Sequence, residues 1–279
     1  MFDVRTKARK FGYDLHRFGL TLPKLAARIQ VDDSLPKVLS VSVPKSGTHL
    51  IQRVLLLHRQ MYRPLVPTLG PRNQSKWLTH EQVFVKMKPG QVISCHFEYS
   101  EELHELLLEY NVQATFLYRD PRAVLVSALH YIQEQPALSA HDYLMSLPNE
   151  RERLIALIKG VDEKGVYNMN RHFEKFIGWI GADQVFTARF EDLVGGRGGG
   201  SDQLQFKTIE GLFRQLGLYE SGEQIERICE ASFGGGTPTF RQGLIRGWEK
   251  YFDAELKQMF SDHHGELMAR LGYADSSVS

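Results

Sequence analysis

Val43-Pro44-Lys45-Ser46-Gly47-Thr48-His49-Leu50 gathers the residue types that hold an oxyanion. Gly47 permits close backbone approach, Ser46 and Thr48 offer hydroxyl donors, and Lys45 adds a positive charge beside the bound group. Where a strand turns into a helix, backbone N–H groups and the positive end of the helix dipole point at such a ligand. The order differs from the triphosphatase loop G-x-x-x-x-G-K-[ST], because the lysine precedes the glycine and the upstream glycine is missing. A plain strand–turn–helix corner would use the same residues.

Thr115-Phe116-Leu117-Tyr118-Arg119-Asp120-Pro121-Arg122-Ala123-Val124-Leu125-Val126-Ser127 repeats the strand–turn–helix pattern. Arg119 falls at the strand's carboxyl end, where parallel sheets bind ligands, and Pro121 suits a first helical turn. Arg119 and Ser127, eight residues apart, can hold a second, separate phosphate. The plainer alternative for Arg119 is a salt bridge with Asp120 or a neighbouring carboxylate.

The elements that must carry these loops are short apolar strands alternating with helices. Val38–Val43, Gln91–His96, Ala114–Tyr118 and Gln184–Phe190 read as strands, the first a buried β-branched run. Helical patterns follow at Leu50 to about Arg59, Glu101–Tyr110, Arg122–Tyr131 and Met169–Ile180. The last third reads as helical over Gln205–Leu216, Gly222–Ser232 and Glu249–Leu271, broken by Gly195–Gly200, a flexible surface loop on this reading, and by Gly234–Pro238. Strand–helix alternation predicts an α/β fold: a single domain with a central, mostly parallel sheet flanked by helices.

Bulk properties exclude several classes. With 42% hydrophobic and 24% charged residues, the chain of 279 residues is not a disordered polymer. A net charge of +1 excludes a nucleic-acid binder built on bulk charge. Cys95 and Cys229 are too few and too far apart for a disulfide framework or zinc site, and read as buried thiols in a reducing compartment. No apolar run approaches the roughly 20 residues of a membrane-spanning helix, and the amino terminus lacks a signal core. No metal is expected: the nearest candidates, His263 and His264, read as exposed, with rings pointing in different directions. Residues 1–30 form a separate basic segment before the domain at 31–279, with seven Lys and Arg against two Asp. Phe11, Leu15, Phe18 and Leu22 give it an amphipathic helical spacing. Its simpler reading is a helix packed on the domain; the alternative is peripheral contact with an anionic membrane surface.

With these motifs in place, the chain resembles the sulfotransferase family that uses 3′-phosphoadenosine 5′-phosphosulfate (PAPS). The P-K-S-G-T at Pro44–Thr48 looks like that family's 5′-phosphosulfate loop, and R-D-P-R-x-V-x-V-S at Arg119–Ser127 looks like its 3′-phosphate element. Arg189-Phe190-Glu191-Asp192-Leu193 is similar to its R/Y-Y/F-E-D-L stretch. Phe240-Arg241-Gln242-Gly243-Leu244-Ile245-Arg246-Gly247-Trp248 is similar to its late R-K-G-x-x-G-x-W signature, with glutamine for lysine and the second glycine displaced by one.

The resemblance implies a fold like that of P-loop nucleoside triphosphatases, three layers α/β/α, and transfer of a sulfonate from PAPS with adenosine 3′,5′-bisphosphate (PAP) as product. It makes Lys45 the catalytic lysine and puts His96 in the place of the catalytic histidine. A near-neutral imidazole suits general-base work. Glu98, on the same side if the strand continues, can orient the imidazole or act as base itself. The resemblance assigns Lys45, Ser46, Gly47, Thr48 and His49 to the 5′ side of the donor. It assigns Arg119, Ser127, Arg241, Gln242 and Gly243 to the 3′-phosphate, and Phe233 to the adenine. Leu50 and Arg189 stand where many relatives carry a tryptophan and a tyrosine, which thins the stacking on the base.

Residues 60–90 and 133–168, with Tyr62, Trp77, Phe84, Tyr143 and Tyr167, are left for the acceptor, which a small molecule, lipid or carbohydrate fits alike. A cytoplasmic enzyme is the expected setting, and the sequence fixes no oligomeric state. The competing class is a P-loop kinase, which lacks here an upstream glycine and a clear magnesium aspartate.

Overall fold

The buried apolar runs become parallel strands in the computed structural model, which describes residues 32–64, 68–70, 79–234 and 243–273. In chain order come β1 (Lys37–Ser42), α1 (Thr48–Leu57), α2 (His80–Lys86), β2 (Val92–Cys95), α3 (Glu101–Glu109) and β3 (Val112–Tyr118). Then follow α4 (Pro121–Gln133), α5 (His141–Ser146), α6 (Glu150–Lys159), α7 (Met169–Glu174) and β4 (Val185–Arg189). The chain continues with α8 (Asp202–Gln215), α9 (Gly222–Ser232) and α10 (Ala254–Arg270). Most helices start where a side chain can take an orphan N–H: Ser100, Asn149, Asn168, Ser201, Ser221 and Asp253 each accept one, and Thr79 with Gln82 closes a capping box.

The sheet order is β2-β1-β3-β4 with every pair parallel, as the alternating pattern predicts. The chain goes outward from β1 to β2 and returns past β1 to β3, so right-handed crossovers place α1 and α3 on opposite faces. Val38, Leu39, Val41, Leu117 and Phe116 are all but inaccessible, and each such side chain stabilises the fold by about 1.5–3 kcal/mol.

This α/β domain divides into two compact units, residues 1–118 with 178–244, and residues 119–177 with 245–279. The first holds the sheet: α1 lies over β1 and β2, α9 over α1, α8 over β4, and α3 over β3. The second is helical, with α4 against α5 and α6, and α10 against α6 and α7. Edge-to-face aromatic pairs run through it from Trp248 to Phe252 (5.4 Å) and on to Phe260 (5.8 Å).

Several expectations need correction. The helix read over Met169–Ile180 stops at Glu174 and gives way to a short 3-10 turn, and that over Glu249–Leu271 begins only at Ala254. Gly195–Gly200 is not a loose loop: the Gly196 amide donates to Asp202 Oδ1 (2.7 Å), and Gly198 is buried against Val194 and Phe233. Cys95 is fully buried but Cys229 only partly. His264 is 1% exposed, its Nε2–H donating to the Ile158 carbonyl (2.9 Å) and its Nδ1 against Asn170, so of the histidine pair only His263 is exposed. The basic segment 1–30, Trp77, Arg241 and Gln242 lie outside the described residues.

Candidate active site

The turn after β1 is built by its backbone. The Val43 amide extends the ladder to the Leu117 carbonyl (3.0 Å), and the Ser46 amide closes on the Val43 carbonyl (3.1 Å). Lys45 (φ 71°) and Gly47 (φ 104°) are both left-handed with Ser46 between them, an alternation that turns successive amides into an anion-binding concavity. A lysine in this region is uncommon and strained, a cost that recurs at functional sites. Gly47 is the N-cap of α1 and lends it no side-chain cap, and the first turn holds no acidic residue. The helix therefore presents its amides and positive dipole uncompensated by a local carboxylate.

Gly47 is required for a second reason. A Cβ there would lie 2.6 Å from Cδ2 of Phe190, the ring that follows β4. The R-F-E-D-L stretch thus serves as the wall against which the loop is pressed. Arg189 holds that wall's turn with two hydrogen bonds to Asp192, both 3.0 Å. Ser46 is fully buried, and its hydroxyl has no hydrogen-bond partner among the described residues. A buried polar atom left unmatched costs about 1–3 kcal/mol, which a phosphate or sulfonate oxygen would offset. The loop thus fits such a group.

His96 stands just past β2, where its amide donates to the Leu69 carbonyl (2.8 Å). Its ring Nδ1 is 2.8 Å from the Ser42 carbonyl, an oxygen that can only accept, so Nδ1 carries the proton and Nε2 keeps a lone pair. Burial holds the imidazole below its ordinary pKa, and the neighbouring Lys45 ammonium lowers it further against the raising effect of the Ser42 carbonyl. Glu98 is exposed and beyond the last residue of β2, so it is the Ser42 carbonyl that orients the Nδ1 side of the ring. The Ser42 hydroxyl lies 2.7 Å from Thr48 Oγ1 and 3.4 Å from His96 Nδ1. Sequence reading passed over Ser42, although a serine alternating with apolar neighbours in a buried strand is a signal.

In the second unit, Arg119 is half-buried at its start, and Ser127 is half-buried on α4. Asp120 caps α4 by accepting from the Arg122 amide (2.9 Å), and Arg122 forks onto the same carboxylate through Nε (3.0 Å) and a terminal nitrogen (2.8 Å). The Arg122 guanidinium also lies 4.0 Å over the Trp248 ring. His130 Nε2 and the Tyr251 hydroxyl, 2.9 Å apart, bind α4 to the same late segment. Tyr131 is 39% exposed.

Phe233 is buried, its ring against Gly198 and its carbonyl held by Arg197. Gly243 is left-handed (φ 63°). His49 is half-buried in the first turn of α1. Of the aromatic residues reserved for the acceptor, Tyr62 and Phe84 are buried in the core and cannot line an open pocket. Tyr143 is half-buried, and Tyr167 is exposed with Arg171 stacked on it at 4.4 Å. Among the described residues no group of three His, Cys, Asp or Glu is placed to hold a metal ion, and no helix is long and apolar enough to cross a membrane.

No curated protein matches the chain by sequence. Among the solved structures that share its fold are two complexes with PAP. One is mouse sulfotransferase SULT7A1 complexed with PAP, with a TM-score of 0.61, 18% identity, and 88% of this chain and 92% of that one covered. The other is retinol dehydratase in complex with androsterone and inactive cofactor PAP, with a TM-score of 0.55, 15% identity, and coverage of 88% and 85%. The sequence profile of the sulfotransferase domain matches residues 35–196, a span that holds the loop after β1, His96, the Arg119 turn and Phe190. The chain belongs to the sulfotransferase domain family.

Proposed function

We propose that this enzyme transfers the sulfonate of PAPS to a hydroxyl of a small-molecule, lipid or carbohydrate acceptor and releases PAP. The observation that carries the proposal is the pairing of a left-handed, lysine-bearing loop with a histidine whose Nδ1 is spoken for by the Ser42 carbonyl. The acceptor oxygen attacks sulfur, the bond from sulfur to the 5′-phosphate oxygen breaks, and the electron pair leaves with PAP. His96 Nε2 takes the acceptor's proton, and the Lys45 ammonium stabilises the charge growing on the leaving oxygen. Fixed cations and amides supply this stabilisation.

The loop with Lys45, Ser46, Gly47, Thr48 and His49 takes the 5′ end of the donor. Arg119, Ser127, Arg241, Gln242 and Gly243 take the 3′-phosphate, and Phe233 lies near the adenine. Support comes from the sheet register: Ser42 stands opposite Leu117, so the chain leaves for the two loops from neighbouring strand ends. Both neighbouring structures were solved with PAP. Two free cysteines agree with a cytoplasmic setting.

Incubation with radiolabelled PAPS and acceptors of each class, in the presence of EDTA, tests the reading. Labelled product is expected, and Lys45→Ala should keep PAP binding while turnover falls about 100- to 1,000-fold. His96→Ala should lower turnover about 100- to 10,000-fold. Because its pKa lies below the usual value of about 6.5, His96 stays a competent base to lower pH, and the acid limb of kcat should fall below that value. No label transfer to any acceptor class, with no PAP binding by calorimetry, would end the proposal.

A further inference from the structure

The Ser42 side chain links two parts of the site that the mechanism treats separately. Its hydroxyl is 2.7 Å from Thr48 Oγ1, at the first residue of α1, and 3.4 Å from His96 Nδ1. The residue is wholly inaccessible, so its hydroxyl has no access to bulk water. The Nδ1–H of His96 is committed to the Ser42 carbonyl at 2.8 Å, with the hydroxyl oxygen as a second, weaker acceptor. Either hydroxyl can donate in the Ser42–Thr48 pair, but an oxyanion in the loop would take the Thr48 proton and so turn the Ser42 proton toward Thr48 Oγ1. With the anion bound, the donors then run one way, from imidazole to serine to threonine to ligand. A chain of donors aligned in one direction strengthens each member when the last acceptor is an anion. The charged group that faces His96 from the packed elements is Lys45; segment 68–70 meets it with the Leu69 carbonyl and Gly70.

We infer that Ser42 is a positioning residue: through Thr48 it senses the donor's oxyanion and, through Nδ1–H, fixes the His96 ring with Nε2 facing the acceptor. The inference rests on the proposed function above. The effect of Ser42 on kcat runs through His96, so its removal costs no further turnover once His96 is gone.

The experiment is a kinetic cycle on Ser42→Ala, His96→Ala and the double variant, with Ser42→Cys as a near-isosteric second substitution. Calorimetry of PAP binding to each protein runs beside it. Ser42→Ala and Ser42→Cys should each lower kcat about three- to tenfold, the worth of one neutral hydrogen bond, with the donor KM within about twofold. In the His96→Ala background the same substitutions should leave kcat unchanged. In histidine-labelled protein, 15N spectra of the PAP complex should show Nδ1 protonated in the wild type and ring exchange broadening in Ser42→Ala. A further loss of kcat on the His96→Ala background, or identical wild-type and Ser42→Ala spectra, would overturn the inference while leaving the sulfotransferase reading intact. A wild type that binds no PAP would instead overturn that reading.

Discussion

The turn after β1 and the turn after β3 each follow a parallel strand, yet they are made of different materials. The first uses main chain: two left-handed residues, an uncapped helix N-terminus, and a buried serine. The second uses side chains: Asp120 gripped by Arg122, Arg122 stacked on Trp248, and His130 joined to Tyr251. A main-chain cradle has no atoms to spare and breaks when a methyl group is added. A side-chain clamp breaks when a group is taken away. The difference dictates which substitution probes each turn.

The largest effect on folding is expected from Arg122→Ala. It would leave the Asp120 carboxylate buried without its fork and take the nearer of two cations from the Trp248 ring, leaving Lys257 at 5.8 Å. About 3 kcal/mol of unfolding free energy should be lost in urea titrations. Arg122→Lys keeps the charge but cannot fork and stack at once, so it should recover only part of the loss. Wild-type stability in Arg122→Ala would show that the clamp does not hold the helical unit together.

A smaller cost in stability, but a direct one for the cradle, is expected of Gly47→Ala. The new Cβ would strike Phe190 at 2.6 Å in a backbone region that disfavours it, a strain on the order of 1–3 kcal/mol. PAP affinity should fall at least about tenfold if that strain opens the loop. Adding Phe190→Leu should relieve the clash and restore part of the affinity, whereas no change in Gly47→Ala would mean that the loop does not shape the site.

A pH effect separates the buried His264 from the half-buried His96. Burial pushes the His264 pKa down to about 4, while its unfolded value is near 6.5. Between these values the unfolded chain binds a proton that the folded one refuses, so folding stability should decline as pH falls from about 6.5 toward 4. His264→Gln should flatten that decline, and His96→Ala should alter turnover instead. A His264→Gln variant with the same acid dependence as wild type would remove His264 as its cause.

Much of the frame was legible because buried parallel strands read as unbroken apolar runs, and because both turns are contiguous in the chain. Lys45, Gly47 and Arg119 could be picked out as candidates for that reason, whereas His96 was marked by the family resemblance. What escaped was long-range. Phe190 meets Gly47 across 143 positions, and Trp248 meets Arg122 across 126. No local pattern encodes either approach. Helix α6 also escaped: its sequence Glu-Arg-Glu-Arg-Leu-Ile-Ala-Leu-Ile-Lys segregates charge and apolar residues end to end rather than by face. His264 looked solvent-facing because its neighbour is, and only the packing of α10 on α6 and α7 distinguishes the two.

The proposed function requires the two turns to serve opposite ends of one nucleotide. Its most direct test is the ratio of PAP affinity to 5′-AMP affinity, by calorimetry, in wild type and Arg119→Ala. The wild type should prefer PAP by about 10- to 100-fold, the worth of charge-assisted bonds to the extra phosphate, and Arg119→Ala should bring the ratio close to one with 5′-AMP binding unchanged. An undiminished preference for PAP in Arg119→Ala would contradict the claim.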